Sequence, residues 1–219
     1  MNFIAATVVL KSTSPDPVTA YGLSYRSADA VIPSGGSASE VRVRLLCYDR
    51  AGAKLDSFTG WKEGNRALIT GNLVFSDDTS KPYDLIVSTI ETNIPQDMYC
   101  NQVVLGNAFF GDDRITERKN SQLAVKIGTT LDNSDVVTWL YLETHDSRKS
   151  KLEDRLRKGR PICVQGYLRE YRKDDSDSPY RAIVASDFTT RKDSKRSNRN
   201  PQTSGSAAGY NEVDPTPDY

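Results

Sequence analysis

The chain has 219 residues with 29 basic and 29 acidic side chains, so its formal net charge is zero. A neutral chain is a mild argument against strongly electrostatic nucleic-acid binding, because such binding needs an excess of Lys and Arg to neutralise phosphates. Acidic side chains outnumber basic ones by 11 to 9 in residues 1–97, whereas basic ones outnumber acidic ones by 16 to 14 in residues 98–191. The second half is therefore the better candidate for phosphate contacts.

Three cysteines, Cys47, Cys100 and Cys163, are too widely spaced for a CxxC zinc motif, so we expect no metal site, no cofactor and a reducing compartment. Cys47 and Cys163 lie in apolar runs and are expected in the core. No apolar run approaches the ~20 residues of a membrane span, and no secretory signal is visible. We therefore expect a cytoplasmic protein without membrane association.

The first half reads as short strands separated by turns. Apolar runs between Gly, Pro and charged turns predict strands at residues 2–11, within 18–32, at 41–45, within 62–73 and at 83–89. Apolar and basic residues alternate along the third of these strands, so Arg42 and Arg44 are expected on its wet face. Residues 53–61 are expected to form a short helix or an irregular connection, with Trp61 as a packing anchor.

The second half repeats this organisation. Strands are predicted at residues 99–110, 121–127, 136–143, within 157–168, and at 180–188. Alternation places Lys126 on a wet face, and Trp139 and Tyr141, two residues apart, share one face of their strand. Leucines four residues apart predict a helix over residues 148–158.

A twelve-residue motif occurs twice, at residues 62–73 and 157–168. Each copy reads basic, any residue, Gly, two variable residues, three apolar residues, polar, Gly, any residue, Leu. This pattern predicts a turn glycine, a short strand and a second glycine at which the strand bends or bulges. Other segments repeat in the same order at offsets of 95 to 97, which predicts a duplicated domain. In this alignment Val43 stands at the position of Trp139.

Each half thus reads as three strands, a helix or connection, and two strands, which is the order of an OB-fold barrel. We predict an all-β chain of two tandem OB-fold barrels, each a five-stranded Greek-key barrel with a short helix between strands three and four. The predicted units are residues 1–93, a linker at 94–98, residues 99–190 and a tail at 191–219. The tail contains Ser, Asn, Gly and Pro with almost no aliphatic residues, so we expect it to be disordered.

Residues 101–107, 137–142, 152–168 and 180–184 stand in the order of the opening strand, third strand, helix-to-strand region and last strand of a known barrel. In that order they resemble the bacterial single-stranded DNA-binding protein family. The end of the tail resembles that family's acidic tip, which binds other replication proteins, through Asp214, Pro215, Pro217, Asp218 and Tyr219. With two barrels per chain, the resemblance implies a homodimer of four barrels.

A protein that binds single strands without sequence preference needs aromatic rings for bases and cations along the phosphate track. Trp139 and Tyr141 share one face, and Tyr167, Arg169 and Tyr171 alternate along a second strand. The candidate DNA-binding residues are Trp139, Tyr141, Tyr167, Tyr171, Lys126, Arg169, Arg172, Lys173, Arg42 and Arg44. Trp139 is equally consistent with a core residue, because large aromatic side chains on strands are often buried.

The resemblance and these residues favour a protein that binds and protects single-stranded DNA during replication, recombination or repair. We expect no enzymatic activity, because the chain shows neither a phosphate-binding glycine loop before a helix nor a nucleophile elbow. An OB-fold scaffold that binds proteins, with weak or no affinity for nucleic acid, is the alternative favoured by the zero net charge. A nuclease built on an OB barrel is a third possibility.

Overall fold

The computed structural model describes residues 2–33, 40–50, 52–75, 81–118, 122–130, 137–171 and 180–190. Within these ranges the chain forms one continuous sheet of 12 strands, together with two short α-helices. The predicted all-β class is therefore confirmed. Across the same ranges, no helix combines the length and the apolar character needed to cross a membrane.

The first half folds into a closed barrel. Its strands are β1 (Asn2–Thr13), β2 (Val18–Ala20), β3 (Leu23–Ile32), β4 (Val41–Tyr48), β5 (Arg66–Val74) and β6 (Tyr83–Glu91). β1 pairs with β3 and β5, β4 pairs with β3 and in parallel with β6, and β6 pairs with β5. These pairings close a five-stranded ring, and the short β2 extends it by pairing with β3. The order is that of an OB fold.

The second half repeats this topology strand for strand. Its strands are β7 (Asn101–Phe110), β8 (Thr116–Arg118), β9 (Gln122–Thr130), β10 (Val137–His145), β11 (Pro161–Tyr171) and β12 (Tyr180–Thr190). β7 pairs with β9 and β11, β10 pairs with β9 and in parallel with β12, and β12 pairs with β11. Two tandem OB-fold barrels, as predicted, are therefore confirmed.

A short helix lies between the third and fourth barrel strands of each half, α1 (Ala53–Thr59) and α2 (Lys149–Glu153). The helix predicted over residues 148–158 is shorter than expected. A 3-10 turn, Asp146–Arg148, precedes α2, and the chain leaves the helix after Glu153 to enter β11. The two leucines that suggested a longer helix, Leu152 and Leu156, are both buried, because one further turn of chain also packs onto the core.

Both copies of the glycine motif adopt the predicted backbone. Gly64 and Gly159 have φ angles of 81° and 77°, in the left-handed region that favours glycine. At Gly71 and Gly166 the pairing with the next strand shifts register, which is a β-bulge. A Cβ added at either bulge glycine would lie 2.2 Å from a carbonyl oxygen of the neighbouring strand. The bulge lets the strand bend around a small barrel.

The strand registers show which positions of the two barrels correspond. Arg44 and Tyr141 each pair with a residue of the neighbouring parallel strand. That residue also pairs with a residue of the next, antiparallel strand, and in both barrels this second partner lies three positions after the bulge glycine. Arg44 therefore corresponds to Tyr141, and Arg42 to Trp139. The sequence alignment of Val43 with Trp139 is wrong by one residue, because Val43 points into the core and a slip of one residue exchanges the two faces.

The cysteines divide between core and surface. Cys47 is buried in β4 as expected. Cys163 is exposed, contrary to the prediction, because its neighbours Ile162 and Val164 take the two inward positions of β11. A run of three apolar residues therefore does not mean that all three are buried.

The two barrels meet through paired strands and a buried ion network. β1 pairs antiparallel with β7, so one sheet runs across the junction. The fully buried carboxylate of Glu170 accepts hydrogen bonds from Arg42 Nε at 3.2 Å and from Arg181 Nε at 3.0 Å. The guanidinium carbon of Arg181 also lies 4.6 Å from the ring centroid of Tyr83. This network joins β4 and β6 of the first barrel to β11 and β12 of the second.

Candidate nucleic-acid interface

The β10 strand places Trp139 on the outer face of the second barrel. Its side chain is 39% exposed, while its neighbour Leu140 points into the core. The Nζ atom of Lys126, on the adjacent β9, lies 4.7 Å from the Trp139 ring centroid. Trp139 is therefore a surface residue, and its ring stands beside a cation.

Two glycines hold the Trp139 ring close to the backbone. Gly128 lies directly opposite Trp139 in the register of β9 and β10, and a Cβ there would come within 2.9 Å of the indole. A Cβ at Gly111 would come within 2.6 Å of the same ring. Phe109 packs edge-on against the indole, with centroids 5.8 Å apart. The Trp139 ring therefore packs against the backbone at two glycines and against the ring of Phe109.

Three tyrosines form a second aromatic group on the same barrel. The ring of Tyr180 lies 5.0 Å from that of Tyr141 and 5.7 Å from that of Tyr171, centroid to centroid. Tyr180 begins β12 and pairs with Tyr171 across the hairpin. Sequence reasoning missed Tyr180 as a site residue. Its position at the start of the last strand, facing Tyr171 across a short charged loop, is the signal that could have found it.

Two guanidinium groups lie over the rings of the tyrosine group. The Cζ atom of Arg118 lies 4.6 Å from the Tyr180 centroid and 5.7 Å from that of Tyr141. The Cζ atom of Arg169 lies 4.9 Å from the Tyr171 centroid. Arg118 was also missed, because it lies on β8, a three-residue strand within the loop between β7 and β9. Cations and rings thus alternate over this face.

The phenol groups of Tyr171 and Tyr180 have raised pKa values, which keeps both in their neutral form. Tyr171 Oη donates a hydrogen bond to Glu143 Oε2 at 2.8 Å, and Glu143 is buried. Burial and this hydrogen bond raise the pKa of Tyr171 to about 12. Burial, followed by the charge of Glu143, likewise raises the pKa of Tyr180. Neutral rings beside cations suit stacking on bases next to phosphates.

The remaining predicted residues of the second barrel differ in how far they can be placed. Tyr167 is 39% exposed and alternates with Arg169 and Tyr171 along the outer face of β11. Arg172 and Lys173 lie outside the described residues. The tail residues Asp214, Pro215, Pro217, Asp218 and Tyr219 lie outside them as well.

The predicted cations of the first barrel are tied to carboxylates. Arg44 makes a two-point ion pair with Asp84, with Nε and Nη2 each 2.7 Å from an oxygen. Arg42 donates to the buried Glu170 of the second barrel. Both arginines lie on the outer face as predicted. The structure does not bring them together with the aromatic groups around Trp139 and Tyr180.

The described ranges contain no group of three or more His, Cys, Asp or Glu residues arranged to hold a metal ion. The acidic pair Asp112 and Asp113 precedes β8, and Asp112 accepts a hydrogen bond from the backbone of Arg114. This carboxylate therefore stabilises a local turn of the loop.

The fold has counterparts among solved structures. The wild-type single-stranded DNA-binding protein from Thermus aquaticus matches with a TM-score of 0.56 and 18% sequence identity, over 94% of this chain and 97% of that chain. A deletion mutant of the same protein also matches with a TM-score of 0.56 and 18% identity, over 87% of this chain and 94% of that chain. No protein-family model and no curated protein matches the chain. The chain therefore has the fold of the Thermus aquaticus protein, in agreement with the resemblance seen in its sequence.

Proposed function

We propose that this protein binds single-stranded DNA without strong sequence preference, through the outer face of its second barrel. The observation that carries the proposal is the exposed ring of Trp139, fixed over two glycines and flanked by Lys126 at 4.7 Å. Single-strand binding requires a platform for a base with a cation within reach of the adjoining phosphate. We propose no enzymatic role.

A strand of DNA would follow the face from Trp139 to the tyrosine group. Bases stack on rings regardless of their identity, and each such contact is worth ~1–3 kcal/mol. Lys126, Arg118 and Arg169 each stand beside a ring, so a stacked base would bring its phosphate close to a cation. We retain Arg172 and Lys173 as proposed phosphate contacts beyond Tyr171.

Fluorescence anisotropy of labelled oligo(dT) tests this proposal. Trp139→Ala is expected to weaken binding by roughly 5- to 150-fold, which corresponds to the loss of one stacked base at ~1–3 kcal/mol. Tyr99→Ala is the matched control, because Tyr99 is 53% exposed and lies in the connection between β6 and β7, outside the strands that carry the aromatic groups. Equal effects of the two variants would contradict the proposal. No binding by the wild-type chain at low salt would favour the alternative scaffold function.

We also propose that two copies associate through the sheet that joins the barrels. The exposed apolar residues Phe3 and Val104 are cross-strand partners at this junction. Asn72 and Gln165 continue the row on either side, so the row carries no charge. A two-fold homodimer places the same patch of both copies face to face, and an uncharged patch suits this because it brings no like charges together. Phe3→Glu is expected to convert the dimer to a monomer in light scattering, and a monomeric wild-type chain would remove this proposal.

The cellular roles are proposed from the tail and from the resemblance. We propose that the acidic tip from Asp214 to Tyr219 binds other proteins of replication, recombination or repair. Deleting residues 214–219 is expected to leave oligo(dT) affinity unchanged while removing the capture of such proteins on single-stranded DNA beads. Loss of oligo(dT) affinity in this deletion would instead place the tail in the DNA-binding site.

A further inference from the structure

The outer face of the first barrel carries an ionic contact where the second barrel carries rings. Arg44 donates from Nε and Nη2 to the two carboxylate oxygens of Asp84, each at 2.7 Å. Tyr21 Oη donates to Asp84 Oδ2 at 2.6 Å. Asp84 is 8% exposed, so its carboxylate is almost completely enclosed. We call Tyr21, Arg44 and Asp84 the Asp84 clasp.

The backbone brings Tyr21 to the clasp by an unusual route. Tyr21 and Gly22 form the two-residue turn between β2 and β3, with φ angles of 51° and 75°. Turns of this kind favour Asn-Gly or Gly-Gly, because both central residues need positive φ. Tyr21 alone, among the non-glycine residues that the structure describes, has a positive φ. Tyr21 occupies this position, and its hydroxyl group reaches Asp84.

The clasp uses the guanidinium N–H donors of Arg44 that a phosphate would need. An Arg guanidinium binds a carboxylate and a phosphate with the same pair of parallel N–H donors. Arg44 therefore already holds an anion that belongs to the chain itself. In the second barrel the corresponding pair is Tyr141 and Ala182, so no carboxylate stands beside that ring at this position.

We propose that Asp84 keeps single-stranded DNA off the first barrel by occupying Arg44 in place of a phosphate. Asp84 thereby determines how many nucleotides each chain binds, since only the second barrel remains available while the clasp is closed. This inference rests on the proposed function of the second barrel.

Asp84→Asn tests the inference, because it keeps the shape of the side chain and removes the charge that holds Arg44. Asp29→Asn is the matched control. Asp29 is exposed and lies opposite Arg44 in the register of β3 and β4. Its substitution by Asn removes the same charge without opening the clasp. The measurements are the number of oligo(dT) nucleotides covered per chain and the slope of log affinity against log salt.

Asp84→Asn is expected to raise the number of nucleotides covered by about 4 or more, the lower bound for one OB fold. The salt slope should steepen by about 0.7, which corresponds to one added phosphate contact on a single strand. Asp29→Asn should behave as the wild type. Adding Arg44→Gln to Asp84→Asn should abolish the gain, because no guanidinium remains to bind the phosphate.

An unchanged site size in a folded Asp84→Asn variant would overturn the inference, as would an equal gain in Asp29→Asn. Circular dichroism reports whether the variant is folded. If it is not, Tyr21→Phe decides, because it removes one donor from the clasp and should give part of the same gain, whereas wild-type behaviour would overturn the inference. Absence of binding by the wild-type chain would instead refute the proposed function itself.

Discussion

The two barrels have the same topology and the same bulge glycines, yet their outer faces differ in chemistry. At corresponding positions the first barrel carries Arg42 and Arg44, and the second carries Trp139 and Tyr141. The first pair of side chains is bound to carboxylates, whereas the second pair is aromatic and accompanied by cations. A duplicated barrel can therefore keep its fold while one copy specialises.

Inward and outward positions explain how this is possible. Successive side chains of a strand point to opposite faces, so the outer residues can change without disturbing the core. Val43 and Leu140 occupy the same inward position, and both are buried. The inward-facing residues of the barrels thus specify the fold, and the outward-facing residues are free to specify binding.

The largest expected effect concerns the buried ion network at the junction of the two barrels. Glu170→Ala leaves the buried Arg181 and the half-buried Arg42 without their carboxylate, so the free energy of unfolding should fall by about 3–5 kcal/mol. Denaturant unfolding measures this change. Glu40→Gln, in an exposed pair with Lys11, should change it by less than about 0.5 kcal/mol. A neutral Glu170→Ala would mean that the ion network contributes nothing to the junction.

Substituting the bulge glycines should affect both barrels alike. Gly71→Ala and Gly166→Ala each place a Cβ 2.2 Å from a carbonyl oxygen, so each should lower the free energy of unfolding by about 1–3 kcal/mol. Thermal unfolding of both variants provides the comparison. Equal losses of unfolding free energy would show that the two barrels depend on the bulge to the same extent. A loss confined to one variant would show that the barrels do not depend on the bulge in the same way.

The smallest expected effect is that of alkaline pH on DNA binding. The pKa of Tyr171 is raised to about 12 from an ordinary value of 10.0, so the phenol stays protonated at pH 10. An unfolded chain would lose that proton near pH 10, so stability from this group is present below pH 10 and is lost as the pH rises towards 12. Oligo(dT) affinity at pH 7 and at pH 9 should differ by less than about twofold. A large loss that Tyr171→Phe prevents would show that the phenol ionises.

Much of the fold could be predicted from the sequence, because it depends on glycines at positions that few other residues can occupy. Gly64 and Gly159 fit the left-handed turns, and Gly71 and Gly166 fit the bulges, so their repeat revealed two barrels. The strand order followed from apolar runs between them. The division of the chain at residues 94–98 stays a prediction.

The candidate site was harder to predict, because it depends on contacts across strands. Tyr180 and Arg118 join the site only through the pairing of β12 with β11 and of β8 with β9. The correspondence of Arg42 with Trp139 needed the strand registers, because the sequence alignment of the two halves is wrong by one residue at this strand. Cys163 shows the same difficulty, since local hydrophobicity does not reveal which face a residue occupies.

The most direct test of the second barrel as the binding surface follows the fluorescence of the two tryptophans of the chain separately. Trp61 is buried in the first barrel, as predicted for a packing anchor, and Trp139 is exposed in the second. In a Trp61→Phe variant only Trp139 reports, and in a Trp139→Phe variant only Trp61 reports. Titration with oligo(dT) should quench the fluorescence of the first variant and leave that of the second unchanged. Quenching confined to the Trp139→Phe variant would place the DNA on the first barrel and contradict the account.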